Sequence, residues 1–274
     1  MGINQAFEEF HKVDRLLSIH REDSELAHAN KGGVINSELK SVLNQALAVS
    51  EQTQGAFDPT IRPLADLWGF IKKEGYRLPH SDELKPVLGK VDYRRIYFEN
   101  NRLKFGAQGM SIDSGGFGKG YAVDRAIGAL QKSGIKNAMV KAGGDLRVIG
   151  LPPGKKYWRV FIEDPQKKGK RSEVLLSSGA LSTSGNYENF FIEKGKRYGH
   201  LLDPRTGQPV EGIGSCTLVA PTCFESDAYA TAACVLGVKR SRELLGKRYG
   251  MRFVLLLDQG LPKTVTVGNF PVQD

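Results

Sequence analysis

The stretch SIDSGGFGKGYAVDRA, residues 111–126, places an acidic residue, four glycines and a lysine before a pattern typical of a helix over Gly120 to Leu130. The glycines would let the backbone approach a ligand, and Lys119 at the start of a helix would favour an anion such as phosphate. The stretch is not a Walker motif, because no Ser or Thr follows Gly-Lys-Gly, and it does not match the dinucleotide fingerprint. A tight turn needed only for packing explains the glycines equally well. The stretch therefore indicates a candidate phosphate site without deciding for one.

The segments on either side of this stretch decide the fold class. Upstream, apolar spacing predicts helices over 6–19 and 37–54, and Asn100-Asn101 is typical of a hairpin turn. Downstream, strand-like runs cover residues 137–150, 157–164, 173–184, 188–202, 215–221 and 251–258. Helical patterns lie among them at 225–237 and 239–249. Strands in runs with inserted helices favour an α+β fold over a doubly wound one.

Composition and charge set limits on the function. The chain has 274 residues, and 39 Lys and Arg against 30 Asp and Glu give a net charge of +9. The basic residues are scattered, with no basic helix and no interleaved aromatics, so we predict no nucleic-acid partner. No run of about eighteen apolar residues occurs, and the first residues lack the features of a signal peptide. We interpret the three cysteines as ordinary small residues, although a Cys216–Cys223 disulfide stays open.

Asp227 and Thr231 form a candidate metal-binding pair. They lie four residues apart in a helical pattern, so a helix would place both side chains on one face. A carboxylate and a hydroxyl are hard oxygen donors of the kind that Mg²⁺ prefers. An aspartate that only stabilises the start of its helix is the simpler alternative.

His200 is a candidate general base. It lies three residues before Asp203, and a nearby carboxylate can fix the tautomer of an imidazole. A lone histidine at the end of a strand is more often a hydrogen-bonded structural residue. Thr183, Ser184 and Gly185 offer hydroxyl and amide donors that suit a phosphate or a flavin, and suit an ordinary turn as well.

Six stretches of the chain, taken together and in order, resemble the ApbE family of flavin transferases, which move FMN from FAD onto a protein threonine. They are GAFDPTIRPLADLWGF (55–70), IDSGGFGKGYAVDRA (112–126), VKAGGDLRVIG (140–150), LSTSGNYENFF (181–191), GHLLDPRTGQPV (199–210) and SDAYATAACVLG (226–237). The resemblance extends over roughly residues 7–258. It implies one α+β domain over residues 1–274, related to the T-fold, with mixed or antiparallel sheets and packed helices. A Lys-rich and Pro-containing stretch, 71–91, is the expected exposed excursion.

The resemblance also implies FAD as substrate, Mg²⁺ as cofactor and a role for individual residues. Asp113 and Lys119 would contact the flavin nucleotide, and a backbone oxygen of Gly116 would join Asp227 and Thr231 on the metal. The catalytic group near the acceptor hydroxyl would be His200 or Asp113. The other flavin-binding positions would be Ala56, Phe57, Asp58, Ser184, Gly185 and His200.

The implied reaction is Mg²⁺-dependent transfer of FMN from FAD to a threonine of an acceptor protein, with release of AMP. The resemblance points to a subunit of a membrane redox complex as that acceptor. Two alternatives stay open. One is a Mg²⁺-dependent FAD pyrophosphatase that yields FMN and AMP, and the other is a non-catalytic FAD-binding protein.

The sequence departs from the family pattern in two places. His20 stands where the family commonly has an aromatic residue that touches the flavin. The strand and the lipoprotein signal that usually precede the first helix are also not found. We expect the natural protein to be an exported, membrane-anchored lipoprotein that faces the periplasm, on the strength of the resemblance alone.

Overall fold

The chain divides into two compact units, each assembled from separate segments. The structure, a computed structural model, describes residues 2–71, 75–163, 171–187, 189–256 and 262–273. The sheet unit comprises Met1–Val13, Phe117–Gly185 and Glu211–Asp274, and the loop unit comprises Asp14–Gly116 and Asn186–Val210. This division into two compact units does not decide whether residues 1–274 form a single domain, and the single domain stays a prediction.

Helices and strands occur in both units. The helices are α1 (Gly2–Leu17), α2 (Glu25–Asn30), α3 (Ser37–Gln52), α4 (Arg62–Leu67), α5 (Ser81–Leu88), α6 (Gly118–Lys132) and α7 (Cys223–Leu244). Short 3-10 turns span Pro59–Ile61 and Tyr93–Arg95. The strands are β1 (Ile96–Glu99), β2 (Arg102–Phe105), β3 (Ala138–Ala142), β4 (Asp145–Ile149), β5 (Trp158–Glu163), β6 (Arg171–Leu176), β7 (Gly179–Gly185), β8 (Phe190–Glu193), β9 (Lys196–Gly199), β10 (Ile213–Ala220), β11 (Gly250–Leu255), β12 (Lys263–Val267) and β13 (Val272–Gln273). Among the described residues, no helix combines the length and the apolar character needed to cross a bilayer.

Two antiparallel sheets form the framework of the sheet unit. The larger has six strands in the order β12-β11-β10-β7-β4-β3, and the smaller has the order β13-β6-β5. Alternate residues of a strand point to opposite faces, and Leu146 and Val148 of β4 are buried with Val160 and Ile162 of β5 in one apolar cluster. The antiparallel pairing places β7, β4 and β10 side by side. It thereby fixes the positions of the polar residues that these strands carry.

Helices α6 and α7 pack closely in the sheet unit. A Cβ atom added at Gly120 of α6 would lie 2.7 Å from the carbonyl carbon of Cys223 and 2.8 Å from Cβ of Asp227, both in α7. Only glycine fits at this crossing, because such contacts are too short for real Cβ atoms. Gly237, with φ 67° and ψ 177°, interrupts the helical backbone within α7.

An aromatic cluster forms the core of the loop unit. Trp68 is fully buried, its ring lies 5.9 Å from that of Tyr198, and its indole Nε1–H donates to the carbonyl oxygen of Gly207 at 2.9 Å. That hydrogen bond satisfies the indole donor, which would otherwise be buried without a partner. It also ties α4 to the loop that follows His200.

Most of the local predictions are confirmed. The helix over 37–54 is α3, and the hairpin at Asn100-Asn101 joins β1 to β2, with both asparagines at positive φ (48° and 53°). The patterns at 225–237 and 239–249 merge into α7 around the break at Gly237. Within the expected excursion, residues 72–74 lie outside the described residues, and residues 81–88 form α5, whose Leu84 is buried.

Candidate active site

Three charged side chains form the centre of the site in the sheet unit. Lys119 Nζ, near the start of α6, lies 3.3 Å from Oδ2 of Asp145 and 3.8 Å from Oδ2 of Asp227. Asp145 is the first residue of β4, and Asp227 lies in the second turn of α7. The fold therefore brings together groups from three elements that are up to 108 residues apart in sequence. We call Lys119, Asp145 and Asp227 the charged cluster.

The charges of this cluster do not balance. The side chains of Asp145 and Asp227 are 3% and 4% exposed, whereas that of Lys119 is half exposed. Burial raises the pKa of Asp227, and the Lys119 ammonium opposes this effect. The Asp227 carboxylate in turn raises the pKa of Lys119. Two carboxylates therefore face one ammonium, and a further cation bound here would favour the ionised form of Asp227.

Gly120 of α6 has the packing role that the sequence left open as an alternative. The backbone N–H of Gly120 donates to Oδ2 of Asp227 at 3.0 Å. This N–H belongs to the first turn of the helix, where backbone donors have no partner within the helix. It therefore holds the Asp227 carboxylate, and the glycine itself permits the close crossing of α6 and α7. At least one of the four glycines thus serves packing and ligand positioning together.

Two hydroxyl groups lie beside each other next to this region. Ser184 Oγ, on β7, lies 3.0 Å from Thr231 Oγ1, one helical turn after Asp227. The structure thus brings a predicted flavin contact next to a predicted metal ligand. Gly185 follows at the end of β7, where it pairs with Ser215 of β10. Gly116 belongs to the loop unit, so its predicted place on the metal stays a prediction.

The donor set of the sheet unit fits a divalent cation. Oδ2 of Asp145 is buried and lies 3.3 Å from the Lys119 ammonium, so this carboxylate oxygen already faces one positive charge. The nearby donors are carboxylate and hydroxyl oxygens, the types that Mg²⁺ prefers, and Mg²⁺ usually keeps few protein ligands besides water and substrate phosphate. The described residues contain no group of three or more His, Cys, Asp or Glu that could hold a metal ion.

Asp113 in the loop unit is almost completely buried. Its Oδ1 accepts from the backbone N–H of Gly115 at 2.6 Å, and its own N–H donates to the carbonyl oxygen of Pro59. Burial raises the pKa of Asp113, and the hydrogen bond from Gly115 opposes this. A carboxylate with a raised pKa is a stronger base, which suits either role predicted for this residue.

Asp58 organises the loop around it. Its Oδ1 accepts from the backbone N–H and the hydroxyl of Thr60, at 2.8 and 2.6 Å, and its Oδ2 accepts from the N–H of Tyr93 at 2.9 Å. Burial raises the pKa of Asp58, although these hydrogen bonds oppose the effect. Ala56 and Phe57 beside it are buried as well. The predicted FAD contacts of these three residues stay predictions, and the observed role of the Asp58 side chain is structural.

The environment of His200 fixes its tautomer. Nδ1 lies 3.1 Å from the carbonyl oxygen of Asn189, and because a carbonyl only accepts, Nδ1 carries the hydrogen. A neutral His200 then presents Nε2 as a hydrogen-bond acceptor. The carboxylate of Asp203, which the sequence offered for this task, is engaged by Arg205 through three hydrogen bonds. The prediction that Asp203 sets the tautomer is therefore replaced by a backbone contact.

Sequence reasoning missed Asp145. It stands in the segment AGGDLRVIG, within the strand-like run 137–150, and β3 and β4 form an antiparallel hairpin there. An acidic residue directly after two glycines at the start of a buried strand was the available signal, because an aspartate in such a place needs a partner. Its partner, Lys119, lies 26 residues earlier and could not be chosen from the sequence.

Comparisons with known proteins identify the family of the chain. The sequence profile of the ApbE family matches residues 2–255. A protein of Vibrio cholerae named FAD:protein FMN transferase is 32% identical over 245 residues, which cover 84% of this chain and 73% of that protein. One of the same name from Treponema pallidum is 31% identical over 267 residues, covering 89% and 74%. The chain belongs to the ApbE family.

Solved structures confirm the fold class. The crystal structure of the ApbE protein from Thermotoga maritima has a TM-score of 0.87 and 33% identity, covering 95% of this chain and 87% of that one. The apo form of the Pseudomonas stutzeri flavinyl transferase ApbE has a TM-score of 0.86 and 28% identity, covering 96% and 85%. The α+β fold with antiparallel sheets is therefore that of ApbE flavin transferases, as the six stretches predicted.

Proposed function

We propose that this protein is an FAD:protein FMN transferase that moves FMN from FAD onto a threonine of an acceptor protein and releases AMP, with Mg²⁺ as cofactor. The charged cluster, in which two buried carboxylates face one half-exposed lysine, supports the proposal in a chain of the ApbE family. In the reaction the threonine oxygen forms a bond to the FMN-side phosphorus of FAD. The bond from that phosphorus to the bridging oxygen breaks, AMP departs with that oxygen, and the threonine proton passes to a base.

Asp227 and Thr231 are the residues of the sheet unit proposed to hold Mg²⁺. When bound, the ion would neutralise charge on the pyrophosphate and on the departing AMP. Asp145 keeps the Lys119 ammonium within 3.3 Å of its Oδ2, and the half-exposed lysine is available to a phosphate. Lys119 therefore adds a positive charge at a defined place, which favours the anionic FAD pyrophosphate.

His200 is the base that we propose for the threonine proton. The hydrogen bond from its Nδ1 to Asn189 orients the ring and leaves Nε2 as the acceptor. A positioned base contributes about 10²- to 10⁴-fold to the rate, so loss of the imidazole should slow transfer within that range. Asp113 is the alternative base, and the ring of Phe70, whose centre lies 6.4 Å from that of His200, helps to hold the imidazole edge-on.

The acceptor that we propose is a subunit of a membrane redox complex, and the proposed location is the periplasmic face of the membrane, with a lipid anchor on the natural protein. The family resemblance supports both proposals. Fractionation of cells that express the natural gene tests the lipid anchor. Release of the protein from the membrane fraction by high salt, without detergent, would contradict it.

Release of AMP tests the assigned roles. AMP should form from FAD and an acceptor domain with Mg²⁺ and should stop in EDTA. Asp227→Asn should abolish this release because it removes a carboxylate from the metal site. His200→Gln should lower the rate at which the FAD-bound enzyme releases AMP and leave the affinity for FAD largely unchanged. Glu243→Gln is the matched control, since Glu243 lies in the same helix in an exposed ion pair with Arg240 and should change nothing.

The same assay separates the competing activities. AMP in equal amount to flavin attached to the acceptor supports the transferase. AMP in equal amount to free FMN supports an FAD pyrophosphatase, in which water replaces the threonine. Full activity of Asp227→Asn in Mg²⁺ would contradict the proposed metal site.

A further inference from the structure

The carboxylate of Asp124 joins three elements of the sheet unit. Asp124 lies in the middle of α6, and its Oδ1 and Oδ2 accept from the backbone N–H groups of Cys223 and Phe224 at 2.9 and 2.8 Å. These are the first two residues of α7, whose N–H groups have no partner within their own helix. Oδ1 also accepts from Nη1 of Arg147 on β4 at 2.6 Å. One side chain therefore connects α6, the start of α7 and β4.

Each of these elements also carries one member of the charged cluster. Lys119 precedes Asp124 on α6, and Asp227 follows Cys223 by one turn of α7. Asp145 lies two residues before Arg147, so both side chains belong to the same face of β4. The spacing of the three charges thus depends on how α6, α7 and β4 are fastened to one another.

The start of α7 already has an ordinary cap. Thr222, the residue before the helix, accepts from the N–H of Glu225 through its hydroxyl at 3.2 Å. A cap of this kind stabilises the helix and connects it to nothing else. Asp124 differs because its carboxylate comes from another helix and is itself held by a strand. A negative charge at this end of α7 is also favoured by the helix dipole.

We propose that Asp124 is a positioning residue that sets the relative placement of α6, α7 and β4, and with it the metal and nucleotide affinity of the charged cluster. The inference rests on the proposed function, because it assigns to that cluster the task of binding the metal. Asp124 contacts backbone N–H groups and Arg147, and it acts on the site only through the elements that it joins.

The test is the affinity for Mn²⁺, measured by electron paramagnetic resonance with Mn²⁺ alone and again with AMP. Asp124→Asn preserves the shape of the side chain but replaces one acceptor oxygen by an N–H₂ donor. This N–H₂ group would face another donor, either a backbone N–H of α7 or the Arg147 guanidinium, so one hydrogen bond is lost. Substitution of residues that support metal ligands typically weakens metal binding by about 10- to 100-fold, and we expect the Mn²⁺ affinity of Asp124→Asn to fall in that range. Thr222→Ala is the matched control at the same helix end, and it should lower the melting temperature without changing the Mn²⁺ affinity.

A second variant keeps the inference testable if Asp124→Asn does not fold. Arg147→Gln leaves both N–H contacts of Asp124 in place and removes only its link to β4, so Mn²⁺ affinity should fall less than in Asp124→Asn. In either variant, raising the Mg²⁺ concentration should restore the turnover of FAD. The melting temperature of the same samples separates this effect from a general loss of stability, because Mg²⁺ also stabilises any folded protein that binds it.

The outcomes separate this inference from the proposed function. If the wild-type protein binds Mn²⁺, and folded Asp124→Asn and Arg147→Gln bind it equally well, the positioning role is wrong and the metal site stands. If the wild-type protein binds no Mn²⁺ with or without AMP, the metal site itself is wrong and the inference falls with it. Weaker binding in Thr222→Ala, equal to that of Asp124→Asn, would reduce the role of Asp124 to helix capping.

Discussion

Replacing Gly120 by alanine should push α6 and α7 apart and damage both stability and activity. The added methyl group would lie 2.8 Å from Cβ of Asp227 and 2.7 Å from the carbonyl carbon of Cys223. These neighbours belong to a helix backbone and a buried side chain, so neither can rotate away. Restoring an ordinary contact distance requires a retreat of roughly 0.7 Å from the carbonyl carbon and more from the carbonyl oxygen of Cys223, the nearest atom, in a core that is densely packed.

The magnitude follows from the cost of overpacking. Extra methyl groups in a packed core cost about 1–3 kcal/mol. For a protein of this size that corresponds to a fall in melting temperature of about 2 to 12 °C. The shift also moves the Asp227 carboxylate away from the N–H of Gly120, and a misplacement of about 1 Å at a reacting group can cost about 100-fold in rate. We therefore expect a loss of activity well beyond the loss of folded protein.

Scanning calorimetry and the AMP-release assay measure the two effects. Gly128→Ala is the matched control, because Gly128 lies in the same helix and an added Cβ there would meet nothing within 4 Å. Alanine is the better helix former by about 0.5–1 kcal/mol, so this variant should melt at the wild-type temperature or slightly above it. A Gly120→Ala protein as stable and active as the wild type would refute the reasoning about the crossing of α6 and α7.

Two further predictions concern the pH dependence and the thiols. Because burial raises the pKa of Asp58, the carboxylate of this residue takes up a proton at a higher pH in the folded protein than in the unfolded chain. The stability that this group contributes is therefore greatest below the unfolded pKa and is lost as the pH rises through the folded pKa. The free energy of unfolding in urea should therefore exceed that of Asp58→Asn by more at pH 4 than at pH 7, and a gap that closes on acidification would contradict the assignment. Cys216, Cys223 and Cys234 are free and buried, and burial raises their pKa. They should therefore react with a thiol reagent only when the protein unfolds, and a reductant should leave the melting temperature unchanged. Rapid labelling of these cysteines in the native protein would contradict this prediction.

Local features of the fold were predictable because short segments decide them. The hairpin at Asn100-Asn101 needs two residues that tolerate positive φ, and asparagine does so more readily than most. Helix α6 follows from apolar spacing within 15 residues. The division into two units was not predictable in the same way, because each unit is assembled from segments far apart in sequence.

Within the candidate site, residue types were predictable and partners were not. The spacing of Asp227 and Thr231 places them on one helix, and α7 confirms that local step. The contact of Asp145 with Lys119 depends on the packing of α6 against β4, which no local pattern encodes. The tautomer of His200 likewise depends on the backbone carbonyl of Asn189. Every residue has such a carbonyl, so the sequence does not indicate which one the histidine contacts.

The most direct test of the account is the intact mass of an acceptor domain incubated with this protein, FAD and Mg²⁺. The acceptor should gain the mass of one FMN moiety, and this gain should disappear in EDTA and when the acceptor threonine is replaced by valine. An acceptor that stays unmodified, tested across several acceptor domains while FMN and AMP accumulate in solution, would contradict the transferase.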